Sequence, residues 1–354
     1  MIACTLLVST GPTALGQAAT ADLNEDWQIG SPAAAGLNDD EIALLEQRLT
    51  SETPLLSALL IVRNGELAYE RYAEGFDPRT PLHAWSVSKS ITSMAIGFAL
   101  QEGLLTSLDQ TVGELLPDRI PDGADPRVAS ITLEQLLTMT AGWAWDSRIN
   151  FARTAETDDL DVMLLRPLQC EPGSCFEYDS GCSNLLAAII EQVTAQHMVE
   201  YLRPRLFEPL GIDSPEWIVT VDGVNRGGGG AFLTPRQMAR IGQFALQGGV
   251  WQGERLLSLR WFARSTSPQS SGESYLSGAN IGTGDYGYHW WTATPGEFTG
   301  FAAIGYGGQM IYVVPELELV VVTAFADADP ERPDLQQRVT PIIEDLIVPA
   351  VAAG

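Results

Sequence analysis

Residues 37–49, LNDDEIALLEQRL, place apolar side chains at helical spacing behind an Asn/Asp start, which predicts a helix. ALLIVRNGELAYERY (58–72) is two strand-like runs around Asn64-Gly65, a hairpin signal. GQMIYVVPELELVVVTAF (308–325) is again two β-rich runs, about a turn at Pro315-Glu316. Residues 334–351 close the chain with a helical pattern despite Pro341. Strands near both ends, with terminal helices, predict one antiparallel sheet assembled from distant parts of the chain.

Between about 87 and 215 the pattern is mostly helical. SKSITSMAIGFALQEG ends in Gly103, a C-cap, and further helices are expected over 132–140 and 183–207. The expected fold class is α+β: a sheet flanked by helices, with a mainly helical subdomain, about 100–215, inserted between the sheet-forming halves. The glycine run 227–230 is no phosphate loop, because no Lys-Ser/Thr follows it. It leads to Thr234-Pro235-Arg236-Gln237, a capping box opening a helix over 235–247.

Composition narrows the function classes. The chain is 45% hydrophobic, 18% charged and carries a formal charge of −25. With no Lys/Arg cluster, it lacks the basic footprint that nucleic acids or anionic membrane surfaces require. No stretch predicts stable membrane insertion. MIACTLLVSTGPTALGQAATAD resembles the back half of a secretory signal cleaved after Ala21, so 1–21 is expected to be removed and 22–354 to be periplasmic or secreted. In an oxidising compartment two of Cys170, Cys175 and Cys182 can pair, and Cys170–Cys175 closes the shortest loop. A zinc site would want a fourth ligand, and no histidine is near in sequence.

Of the 20 lysines and arginines only one is lysine: Lys89, three residues after Ser86 in AWSVSKS. Positions three apart share a helix face, so hydroxyl and amine can touch. Burial and the positive end of the helix favour a neutral amine, which can take the serine proton. A guanidinium cannot, since it stays protonated at working pH. Tyr178 and Ser180, in a loop leading into a helix, add a phenol able to relay protons. AAIGYGGQMIYVVP (302–315) adds small residues before a strand, where a backbone N–H can face a substrate oxygen.

Ser-x-x-Lys, then Tyr-x-Ser, then a Gly-Gly-Gln strand near the end, resembles the serine β-lactamase/penicillin-binding-protein superfamily. Within it, HAWSVSKSITS, ITLEQLLTMTAGW, FEYDSGCSNLLAAIIEQVT and GYGGQMIYVVPELELVVV are similar to class C β-lactamase-like esterases and to aminohexanoate-dimer hydrolases. The resemblance implies Ser86 as acylated nucleophile, Lys89 as base and Tyr178 as proton shuttle. It implies Ser180 as a contact to substrate or Lys89, and the Tyr306 N–H beside the Ser86 N–H as oxyanion donors. It also implies a small-molecule ester or amide substrate and no cofactor or metal.

Two departures matter. Ala303 stands where β-lactamases and D-Ala-D-Ala peptidases carry a basic residue for the substrate carboxylate, and Ser180 replaces an asparagine. Both favour an ester or linear amide; a β-lactamase, a D-Ala-D-Ala carboxypeptidase or a penicillin-recognition module with little turnover is the alternative. A Ser-His-Asp hydrolase is disfavoured, because there is no Gly-x-Ser-x-Gly elbow and only His83, His197 and His289 are present. Trp143, Trp145, Tyr288, Trp290 and Trp291 are candidates either for an apolar cleft or for the core. The loops 143–160 and 268–290 are expected to shape the pocket.

Overall fold

The computed structural model describes residues 27–146, 160–213, 215–272, 284–326 and 335–354. The signal-like stretch 1–21 and the pocket-loop segments 147–159 and 273–283 lie outside the described residues.

The Asn64-Gly65 hairpin forms as expected. Strands β1 (Ala58–Arg63) and β2 (Glu66–Tyr72) join through Asn64 at φ 53° and Gly65 at φ 80°, the paired left-handed residues of a tight hairpin. Short strands β3 (Leu82–His83) and β4 (Phe232–Leu233) pair with each other, as do β5 (Val250–Trp251) and β6 (Glu254–Arg255). Strands β7 (Ser270–Ser271), β8 (Asp285–Tyr286), β9 (Trp291–Ala293), β10 (Gly300–Gly305), β11 (Gln309–Val314) and β12 (Leu319–Ala324) complete the main sheet. Its order is β2-β1-β12-β11-β10-β9-β8-β7, so strands from distant parts of the chain lie side by side, in an antiparallel pair of β1 with β12.

Five helices of eight or more residues occur among the described residues: α1 (Asp39–Glu52), α2 (Val87–Gln101), α3 (Ser180–Thr194), α4 (Pro235–Leu246) and α5 (Leu335–Ile342). Both faces of the sheet centre are covered. Gly242 of α4 packs so tightly on Ile311 and Val320 that an added Cβ would lie 2.6 Å from each, while Tyr312, on the opposite face of β11, donates its hydroxyl to Glu344 at 2.7 Å. That double coverage is why β11 and β12 read as apolar runs rather than as alternating patterns.

Local signals explain the helix ends. Asn38 closes a capping box with Glu41 at α1, and Thr234 one with Gln237 at α4. Helix α2 ends with Gly103 at φ 73°; the Gly103 N–H donates to the Leu100 carbonyl and the Leu104 N–H to Ala99, the double closure of a Schellman motif. Two expectations need correction. The helix expected over 183–207 starts earlier and is broken: α3 stops where Ala195 turns left-handed (φ 54°), a five-residue helix follows over Met198–Leu202, and Pro204 falls in a π-helical turn, Arg203–Phe207. The helix expected over 132–140 is the single turn and a half Leu133–Leu137, because Met139 is left-handed (φ 59°). At the C-terminus Pro341 is tolerated inside α5, where the missing N–H gives way to a π-helical turn over Ile343–Ile347.

The described chain from β3 to β4 contains helices, turns and isolated bridges but no strand. Helices α2 and α3 pack together in this stretch, and the end of β10 lies against the turn that opens α2.

Candidate active site

Ser86 is the N-cap of α2 (φ −70°, ψ −5°) and is half-buried, whereas Lys89, one turn on, is 1% exposed. The Lys89 Nζ donates to the Gly228 carbonyl at 2.6 Å, to Ser180 Oγ at 2.9 Å and to Ser86 Oγ at 3.0 Å. Its distance to the centroid of the Tyr178 ring is 5.1 Å. Ser86, Lys89, Tyr178 and Ser180 are therefore gathered at one place by two helix starts and one glycine loop.

This geometry has a chemical consequence. An ammonium has three N–H bonds, matching the three acceptors. Once it loses a proton, two N–H bonds remain for Gly228 and Ser180, and the lone pair faces the Ser86 hydroxyl. Burial pushes the Lys89 amine down to about 7, with help from the nearby Arg226 charge, while Asp179 pulls the other way. The group is thus poised as a base near neutrality. The acid limb of kcat/KM is expected to fall near pH 7 as a single proton binds the free enzyme. A pH–rate profile with a stable ester checks this; a limb near pH 4 would implicate a carboxylate instead.

The glycine loop is shaped by close approach. An added Cβ at Gly227 would lie 2.1 Å from the Ser183 carbonyl oxygen, and one at Gly228 2.9 Å from Ser180 Cβ. Any side chain there would push away the carbonyl that holds Lys89.

Tyr178 is 7% exposed and stacks on Trp291 at 5.6 Å, 23° between planes. Its loop is tied down by the Cys170–Cys175 disulfide, by the Gly173 N–H donating to Thr140, and by the Glu177 N–H donating to Met139. Of the pairings left open, this is the shortest loop; Cys182 is free and buried, its thiol pushed up by burial. Between Tyr178 and Ser180 sits Asp179. Its Oδ1 accepts from the Gly181 N–H at 2.8 Å, capping α3, and its Oδ2 accepts from Arg166 at 2.6 Å in an ion pair whose side chains are 4% and 2% exposed. Arg166 was not singled out from sequence, and the twelve intervening residues give no cue. Asp179 did carry one, standing just before a helix.

Tyr306 follows β10 beside the turn that leads into Ser86. An added Cβ at Gly305 would lie 2.5 Å from the Ala84 oxygen and 3.2 Å from Trp85 Cβ, and the Tyr306 ring meets Trp85 edge-on at 5.5 Å. The histidines are engaged elsewhere. His289 is buried, held to the Lys89 carbonyl through Nδ1 at 3.0 Å and pushed down to about 3 by burial. His83 contacts the Gly229 carbonyl at 2.7 Å, and His197 contacts Glu191 at 3.2 Å. Of the candidate cleft aromatics, Trp143, Tyr288, Trp290 and Trp291 are buried in the core, and Trp145 is exposed.

An eight-stranded antiparallel sheet carrying a Ser-x-x-Lys helix start beside a Tyr-x-Ser turn is the arrangement of a β-lactamase-type protein. The chain matches the Beta-lactamase family over residues 46–340 and belongs to it. Among curated proteins it is similar to the 6-aminohexanoate-dimer hydrolase of Paenarthrobacter ureafaciens, 29% identical over 305 residues, covering 81% of this chain and 76% of that one. It is also similar to the lovastatin esterase of Penicillium rubens, 27% identical over 162 residues, 39% of this chain and 40% of that one. A Bacillus anthracis structure provisionally described as a 6-aminohexanoate-dimer hydrolase superposes with a TM-score of 0.71 at 22% identity, covering 87% of this chain and 81% of that one. No described helix is long and apolar enough to cross a membrane.

Proposed function

We propose that this protein is a serine hydrolase that cleaves an ester or small linear amide through an acyl-enzyme on Ser86. The observation that carries the reading is the buried Lys89 amine 3.0 Å from Ser86 Oγ, with its other contacts filled by Gly228 and Ser180. As Ser86 Oγ attacks the carbonyl carbon, its proton passes to Lys89 Nζ. The Ser86 and Tyr306 N–H groups receive the developing oxyanion. Tyr178 relays the proton to the departing alcohol or amine, and water then releases the acid by the reverse sequence. Ser180 holds Lys89 in line.

Ester or linear amide chemistry is favoured over lactams by Ala303, which offers no cation for a carboxylate, and by the hydrolase and esterase relatives. The disulfide next to the site supports a periplasmic or secreted location, since reducing cytosol does not sustain such bonds. A parallel assay with p-nitrophenyl acetate, a linear aminohexanoate amide and a chromogenic cephalosporin tests the substrate class, with Ser86→Ala as control. Ester turnover is expected to lead. Fast cephalosporin turnover without esterase activity would reverse the assignment in favour of a β-lactamase.

A further inference from the structure

The residue before the nucleophile is an indole in a glycine-like conformation. Trp85 has φ 49°, in the left-handed region that bulky side chains avoid. Such strain persists where surrounding structure enforces it, and it concentrates at functional sites. The backbone is enforced here, because Gly305 of β10 packs so closely that an added Cβ would lie 2.5 Å from the Ala84 oxygen and 3.2 Å from Trp85 Cβ. A glycine would meet that backbone demand without strain, so the indole needs a separate explanation.

Core packing does not supply it, since Trp85 is only partly buried. Its ring instead sits within a chain of partly buried rings. Trp85 meets Tyr306 at 5.5 Å and 69° on one side, and His83 at 4.1 Å and 34° on the other. His83 in turn stacks on Phe232 at 4.7 Å and 16°. The wall is uncharged: burial lowers the His83 imidazole, whose Nε2 is committed to the Gly229 carbonyl. It begins one residue from the attacking oxygen and runs along β3 and β4.

We propose that Trp85 is a specificity-determining residue, and that the wall Tyr306–Trp85–His83–Phe232 receives an apolar, planar substituent of the substrate beside the scissile carbonyl. Aromatic faces hold planar groups by offset and edge contacts, and a charged substituent there would lose hydration without a partner. This inference rests on the acyl-enzyme reading above and refines its substrate class.

The test compares wild type, Trp85→Gly and Phe232→Ala in two ester series. The acyl series is p-nitrophenyl acetate, butyrate and benzoate; the alcohol series is ethyl and benzyl acetate. Glycine suits the local φ, and fluorophosphonate labelling of Ser86, read by mass, confirms an intact site in each variant. Trp85→Gly is expected to lower the benzoate-to-acetate or the benzyl-to-ethyl ratio of kcat/KM by roughly tenfold or more, chiefly through KM. Phe232→Ala is expected to change the same ratio in the same direction by less. The series that responds identifies the side of the carbonyl facing the wall. If Ser86 labels normally in both variants while both ratios stay within about twofold of wild type, the wall is overturned and the acyl-enzyme reading stands. If wild-type Ser86 does not label, the acyl-enzyme reading itself fails, and the wall with it.

Discussion

Lys89→Met is expected to lose at least about a thousandfold in kcat/KM, the upper range for removing a general base, while the protein stays folded. Lys89→Arg is expected to be nearly as damaging, because a guanidinium keeps its protons and does not fit the three acceptors that Nζ satisfies. A His-dependent hydrolase would tolerate both changes. The same substitution should also reveal what the site costs the fold. Lysine in an unfolded chain titrates near 10.4, and Lys89 in the folded protein near 7. Between those values the unfolded chain holds a proton that the folded one does not. Wild-type stability therefore rises with pH across that window; the penalty is complete below about pH 7 and gone above about pH 10.4. At neutral pH it is on the order of 3–5 kcal/mol, offset in Lys89→Met by the contacts that Gly228 and Ser180 lose. Urea unfolding of both proteins at intervals from pH 7 to 10 reads this directly. The stability of Lys89→Met relative to wild type should fall as pH rises; parallel curves would mean that the amine is not depressed.

The second large effect concerns the Arg166–Asp179 pair. Removing one partner of a buried ion pair strands a charge, and Arg166→Met is expected to cost about 3–5 kcal/mol. Asp179 carries the turn from Tyr178 to Ser180, so its displacement should also depress activity. The charge balance adds a signature that loosening alone would not give. Around Lys89, Arg226 disfavours the ammonium and Asp179 favours it, while the buried Cys182 thiol and His289 are neutral. With Arg166 gone, the uncompensated Asp179 favours the ammonium more, so the acid limb of kcat/KM should move to higher pH. Asp179→Asn keeps a capping oxygen but removes the charge, and the limb should move lower. The double variant Arg166→Met/Asp179→Asn should recover much of the stability and return the limb toward its wild-type position. Chemical denaturation with pH–rate profiles of all four proteins completes the cycle, and shifts of the same sign in both single variants would contradict this electrostatic role.

Much of this architecture was legible in the chain itself. Asn64-Gly65, the Thr234 capping box and Gly103 mark their elements through chemistry confined to a few residues. The Ser86/Lys89 proximity follows from helical spacing, and the lone lysine among arginines pointed to a base. What escaped depends on contacts distant in sequence. Ala195 ends α3 in a conformation usually left to glycine, so nothing in its identity marks the break. The Gly228 carbonyl that orients Lys89 is backbone, invisible to a reading of side chains. Arg166 reaches Asp179 through tertiary packing, and the strain at Trp85 comes from β10 pressing on the turn before Ser86. The aromatics left open between cleft and core went mostly to the core, where Trp291 serves the site indirectly by stacking on Tyr178.

The central claim is that Ser86 is a nucleophile whose proton leaves through Lys89. Its most direct test is the rate of fluorophosphonate adduct formation, followed by intact mass and peptide mapping across pH 5 to 9, in wild type and Lys89→Met. A single adduct on Ser86, forming faster as pH rises through about 7 and slowed by orders of magnitude without Lys89, is the expected result. An adduct on another residue, or labelling of Ser86 at the same rate and with the same pH dependence in both proteins, would contradict it.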